Sequence, residues 1–142
     1  SKASLYHHYP KGKEQIAAHA LAYSGARLQR YVLAPLTGDG DGRTRLRQSL
    51  DGVASYYDGD MPVCLMNSLL LGEGRLLFGE QIKGAVSAWR RELARAANDA
   101  GIAQATQWAE QAIERIQGAL ILCRVEGRRA PLDQCLEKLT QV

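Results

Sequence analysis

The sequence predicts an all-α fold. Apolar residues recur at three- and four-residue steps along nearly the whole chain. No stretch sustains the period-two alternation of β-branched residues that marks a strand. Proline and Gly/Asp clusters separate the periodic runs, as expected of connections between helices.

About seven helices follow from this pattern. The first, Ser1 to Tyr9, is short and ends at Pro10. The second runs from about Lys13 to Leu33, with Ile16, Ala17, Ala20, Leu21, Leu28, Tyr31 and Val32 at helical spacing, and Pro35 is expected to stop it. A loop, Thr37-Gly38-Asp39-Gly40-Asp41-Gly42, comes next. Its alternating acids lack the ligand order and terminal glutamate of a calcium loop, so it reads as a solvated connection. The third helix, about Arg43 to Tyr57, carries Leu46, Leu50, Val53 and Tyr57 on one stripe. Pro62 opens the fourth, Val63 to Leu71, which is apolar nearly all round and is expected to be a buried central helix.

Gly72-Glu73-Gly74 precedes a long fifth helix, about Arg75 to Ala100, with a stripe of Phe78, Ile82, Val86, Trp89, Leu93, Ala96 and Ala97. Lys83, Arg90, Arg91, Arg95 and Asp99 take its other face, and Gly101 is placed to cap it. The sixth, about Ala103 to Arg124, repeats Ala105, Trp108, Ala109, Ala112, Ile113, Ile116, Ala119, Leu120 and Cys123. Pro131 opens the seventh, carrying Leu132, Cys135, Leu136 and Leu139. Two neighbouring amphipathic helices can pair with their copies as a four-helix bundle, or can simply cover their own core; periodicity leaves both open.

The composition suits one hydrophobic core. The 142 residues are 46% hydrophobic and 23% charged. The longest apolar run, Met61 to Leu71, is interrupted by Asn67-Ser68 and is too short to span a bilayer. No signal peptide is visible. Cys64, Cys123 and Cys135 form no close pair and have no histidine at ligand spacing, so buried reduced thiols in a cytoplasmic protein are expected, with no disulfide, metal or cofactor. The net charge of +3 is uneven: residues 1–47 carry eight Lys/Arg against three acids, whereas the remainder carries ten against twelve. A basic front suits contact with a polyanion.

The most informative stretch is Ser1-Lys2-Ala3-Ser4-Leu5-Tyr6-His7-His8-Tyr9-Pro10-Lys11-Gly12-Lys13-Glu14. It resembles the signature of TetR-family transcriptional regulators at the recognition helix and the start of the next helix. The Pro-Lys-Gly-Lys-Glu turn is most similar to the subgroup related to the LmrA and YxaF regulators. Ala3 stands where the family has glycine and Tyr9 where it has phenylalanine.

The chemistry of these residues is compatible. A helix-turn-helix lays a short helix in the major groove. Lys2 can reach a guanine edge or a phosphate, and Ser1, Tyr6, His7 and His8 offer donors at the groove wall. Ala3 brings a methyl group to the approaching face. Lys13 and the free N–H groups opening the next helix suit a phosphate. Leu5 and Tyr9 are expected to pack into the DNA-binding domain. Adjacent histidines on a helix point about 100° apart, which disfavours joint chelation.

The resemblance implies a TetR-like regulatory domain whose last two helices build a dimer four-helix bundle. Residues 1–21 would be the remnant of a helix-turn-helix domain lacking its first two helices. Residues 22–142 would bind an effector and dimerise. The homodimer is expected to use Trp108, Ala109, Ala112, Ile113, Ile116, Leu120, Leu132 and Leu136. A small apolar or aromatic effector would meet some of His19, Tyr23, Tyr56, Tyr57, Cys64, Met66, Asn67, Phe78, Gln81 and Trp89. Asn67 stands out as an amide within an apolar run. Repression relieved by the effector is the implied mode.

No Ser-His-Asp, Cys-His, paired-carboxylate or phosphate-loop arrangement supports an enzyme. A helical interaction module is the other alternative, and the signature at Ser1–Glu14 argues against it. This sequence by itself is expected to bind operator DNA poorly; a gel shift at nanomolar protein and physiological salt would overturn that.

Overall fold

A computed structural model describes residues 1–8 and 11–142, apart from the side chains of Leu5 and Tyr6. Tyr9 and Pro10 lie outside the described residues, so the packing expected of Leu5 and Tyr9 does too. Among the described residues the chain is all-α, with no strand. The helices are α1 (Lys2–His8), α2 (Lys13–Leu28), α3 (Ala34–Thr37), α4 (Gly42–Tyr56), α5 (Leu65–Leu69), α6 (Gly74–Asp99), α7 (Ala105–Glu126) and α8 (Ala130–Thr140). A π-helical turn, Gln29–Leu33, joins α2 to α3 without a break.

The core lies among α4, α6, α7 and α8. α6 runs along α7, α7 against α8, and α4 sits between the α2–α3 rod and α6 and α8. The expected stripes face inward. Leu46, Leu50, Val53 and Tyr57 of the α4 region, Trp89 and Leu93 of α6, and Ile116 and Leu120 of α7 are all buried. The helix ends follow local chemistry. Asp41 caps α4 by accepting the Thr44 N–H at 2.8 Å, which holds its carboxyl below the usual range. Gly101, with φ of 77°, follows α6 as expected, and the Ile102 N–H returns to Ala97 O.

Pro35 does not stop its helix. A proline has no N–H, so the Tyr31 carbonyl four residues earlier loses its α-helical donor. The chain widens instead, and the Ala34 N–H reaches back five residues to Gln29 O. The carbonyls exposed by this widening are met by α4. Ser49 Oγ donates to Val32 O at 2.8 Å from a fully buried position. Gly52 lies directly against the Tyr31 carbonyl: a Cβ there would overlap the oxygen and stand 2.6 Å from the carbonyl carbon. The irregular rod is thus matched by two small residues, one turn apart, on the facing helix. Arg45 adds a tie, donating to Leu36 O at 3.0 Å and to Asp99 at 2.6 Å, so that α3, α4 and the end of α6 are joined. This partner holds the Asp99 carboxyl below its ordinary range.

The expected buried helix at 63–71 is corrected to a single short turn, Leu65–Leu69. Its run of apolar residues is not buried all round. Met66 is buried, whereas Leu70 and Leu71 are exposed and Asn67 faces outward. The adjacent breakers explain it, because Pro62 and the Gly72–Gly74 turn leave too few residues for a helix that could bury two faces. No described helix is long and apolar enough to cross a membrane.

Gly52→Ala should destabilise the protein by about 3 kcal/mol or more, since the methyl group meets the Tyr31 backbone. Ser49→Ala should cost about 1–2 kcal/mol, the price of leaving one buried acceptor unbonded. Urea unfolding with unchanged m-values checks both; a neutral Gly52→Ala would show that the two helices are not in contact there.

Candidate functional site

The amino-terminal end presents the side chains expected to face DNA. Ser1, Lys2, Ala3, His7 and His8 are exposed around α1, and Lys13 is exposed at the start of α2. The side chain of Tyr6 lies outside the described residues. Ser1 Oγ accepts the Ser4 N–H at 3.2 Å, so it opens α1 as a cap. The turn between the helices uses Gly12 at φ of 72°, and the Lys11 N–H is held by Gln15 Oε1 at 3.0 Å. Lys2, Lys11 and Lys13 are all solvated. No group of three potential metal ligands occurs among the described residues.

At the carboxyl end of α4 the sequence places two tyrosines, and two arginines from elsewhere converge on the backbone around them. The last carbonyls of a helix have no intrahelical donor. Here Arg27 Nη2 on α2 donates to Ser55 O at 2.9 Å and Tyr56 O at 3.3 Å, and also reaches Asp58 Oδ2 at 3.3 Å. Arg129, just before α8, donates to Ala54 O at 2.8 Å, to Gly59 O at 3.1 Å and to Tyr57 O. Its Nε pairs with Asp133 at 2.9 Å. Hydrogen bonds from charged donors are worth roughly 1.5–3 kcal/mol each.

The two phenols point in different directions from this junction. Tyr56 meets Ser24 Oγ on α2 at 2.5 Å. Tyr57 donates to Cys64 Sγ at 3.6 Å and accepts from Gln117 Nε2 on α7 at 3.3 Å. Their rings stand edge to face, 4.6 Å apart. Burial raises the pKa of both, that of Tyr57 far above the ordinary phenol value, so both remain neutral donors at physiological pH.

A cleft of about 220 Å³ opens between α2 and this junction, lined by Tyr23, Ser24, Arg27, Tyr56, Asp58 and Val63 among others. The Arg27 guanidinium carbon lies 5.9 Å from the Tyr23 ring centre and 5.5 Å from that of Tyr31. Its pKa is raised, first by hydrogen bonding with Tyr23 and then by Asp58. A second cleft, also of about 220 Å³, lies between α5 and α7 and is lined by Cys64, Asn67, Ser68, Leu71, Leu120 and Arg124 among others. Tyr57 lines the first cleft and bonds Cys64 in the second.

The ten side chains expected at an effector site therefore separate. Tyr23, Tyr56 and Tyr57 meet at the first cleft, and Cys64 and Asn67 at the second. Met66, Phe78 and Trp89 are core residues, while His19 and Gln81 are exposed on α2 and α6. Asn67 does not sit in an apolar interior; it lines the open second cleft. Of the residues expected at a dimer interface, Ala109, Ala112, Ile113, Ile116, Leu120, Leu132 and Leu136 are buried within this chain, and Trp108 is half-buried against the same core. The apolar side chains that α7 leaves exposed are Ile121, Leu122 and Val125.

Arg27, Ser24, Asp58, Val63 and Arg129 were not legible as site residues from type alone. One signal was present: Tyr23, Arg27 and Tyr31 recur at four-residue steps, which stacks two rings about one guanidinium on a helix face. Arg129 offers none, since its carbonyl partners lie about seventy residues away.

The chain is similar to a protein of Bacillus subtilis (strain 168) named as an uncharacterized HTH-type transcriptional regulator, YxaF. The two are 24% identical over 144 residues, covering 97% of this chain and 75% of the relative. No protein-family model matches the chain. No solved structure matches it.

Proposed function

We propose that this protein is a transcriptional regulator of the TetR family, related to the LmrA and YxaF subgroup, that releases its operator when a small molecule binds its helical body. The observation that carries the reading is the similarity to an HTH-type regulator along 97% of the chain, including the end where Ser1–Glu14 resembles the recognition-helix signature. Residues 1–21 belong to the DNA-reading end and residues 22–142 to the effector-binding and dimerising body. The protein works in the cytoplasm, without enzymatic chemistry or a cofactor.

The solvated cations Lys2 and Lys13, with His7 and His8, suit phosphate and groove contacts. Coupling runs along α2. Its sixteen residues form a rod of about 24 Å, with Lys13 at one end and Tyr23, Ser24 and Arg27 toward the other. A ligand that prefers one tilt of this rod shifts the population of DNA-competent molecules by its difference in affinity for the two tilts.

A second copy of the chain completes the regulator. Since the small-residue stripe of α7 is filled by the chain's own core, the dimer face is the neighbouring one, where Leu122 and Val125 stand exposed beside Gly118 and the groove toward Cys135 of α8. Such faces pair across a two-fold axis.

Lys2→Ala should weaken binding of the protein to its own promoter by about 1–3 kcal/mol and lower the salt dependence by about one counterion. No retardation of promoter DNA, or an unchanged Lys2→Ala, refutes the DNA-reading role. Sedimentation should show a dimer for the present chain and a monomer for Leu122→Glu; a monomeric wild type, or a dimer indifferent to both Leu122→Glu and Val125→Glu, refutes the proposed face.

A further inference from the structure

We infer that the cleft between α2 and the end of α4 is a binding site for a small organic carboxylate with a single aromatic ring, held by Arg27 in place of Asp58. The cleft, about 220 Å³, is smaller than the ~300–1,000 Å³ that encloses drug-sized ligands, so it suits one ring rather than a fused system. Its chemistry is divided. Tyr23 and Val63 are 63% and 55% exposed at the mouth, with the Tyr23 ring beside the Arg27 guanidinium. Ser24 and Tyr56 close one side with a shared hydroxyl bond. The cleft's cation is Arg27, whose side chain is 25% exposed.

Arg27 Nη2 carries the contacts to Ser55 O, Tyr56 O and Asp58 Oδ2, and Tyr23 is a further hydrogen-bonding neighbour of the guanidinium. A guanidinium carries five N–H donors, and its planar edge matches a carboxylate with two parallel bonds. Asp58 marks where an anion sits, yet it holds that place weakly. It is 74% exposed and meets one nitrogen at 3.3 Å, and an exposed pair of this kind contributes about 0–1 kcal/mol. An incoming carboxylate therefore displaces a resident one at small cost, and its ring covers Tyr23 and Val63. The bound molecule bridges α2 to the segment after α4. Whether that bridge changes DNA binding rests on the regulator reading above; the binding itself does not.

Benzoate and its neutral isostere benzamide are the probes, titrated calorimetrically into the intact chain. Benzoate should bind at least about tenfold more tightly than benzamide, because only the acid answers the guanidinium. Arg27→Lys, which keeps the charge but loses the fork, should weaken benzoate about tenfold. Since Arg27 also holds α4 carbonyls, Asp58→Asn provides the independent arm. It removes the internal competitor and should tighten benzoate severalfold without affecting benzamide. Equal affinity for the two probes, no saturable benzoate binding, or an unchanged benzoate affinity in Asp58→Asn overturns the inference. None of these outcomes bears on promoter binding, so the regulator reading stands or falls separately.

Discussion

The carboxyl end of α4 is where the structure is held together. A helix terminus presents several acceptors and the negative end of a dipole, and burying it unanswered is costly. Here the answer comes from two cations on remote parts of the chain, Arg27 on α2 and Arg129 before α8. They approach from different sides, and between them they engage the carbonyls of Ala54, Ser55, Tyr56, Tyr57 and Gly59. The first helix of the body and the last are thereby referred to one point. Both clefts lie next to it, because Tyr56 and Tyr57 leave that point toward different neighbours.

This arrangement divides the molecule into a dry part and a responsive part. Trp89, Leu93, Ile116 and Leu132 are fully buried in the interior formed by α6, α7 and α8. Polar and partly exposed groups gather instead along α2 and the 57–71 segment, where Asp58, Met61, Val63 and Leu71 are solvated. Tyr57, Cys64 and Met66 anchor that segment in the core, and its solvated residues lie between and beside them. α2 borders it and begins with Lys13 at the amino-terminal end.

The sequence spoke clearly wherever a rule is local. The α6 and α7 stripes, the Gly101 cap and the helical start at Pro131 follow from periodicity and backbone sterics, and each was found where expected. The resemblance at Ser1–Glu14 is readable because that stretch is contiguous. What was not legible depends on distant partners. Pro35 lies within a continuing helix whose widened turn is matched on another helix, where Ser49 donates to Val32 O and Gly52 leaves room for the Tyr31 carbonyl. Periodicity marks that the face of Ile113 and Leu120 is buried, but not by what; a helix of the same chain and a helix of a second copy leave the same imprint. Leu70 and Leu71 misled for the opposite reason, since hydrophobicity cannot tell a covered side chain from an uncovered one.

The π turn at Gln29–Leu33 has a consequence for heredity. Such a turn is, in effect, one surplus residue accommodated inside a helix. Deleting a residue there would restore an ordinary α-helix and leave the buried Leu36 facing α4, but it would bring a carbonyl one turn back against the ring of Pro35. The surplus residue and Pro35 are therefore coupled: the one can be lost without strain only if the proline is lost with it. An alignment that ignores this coupling will place its gap in the loop after Thr37, where length is cheap, rather than in the helix where the extra residue resides.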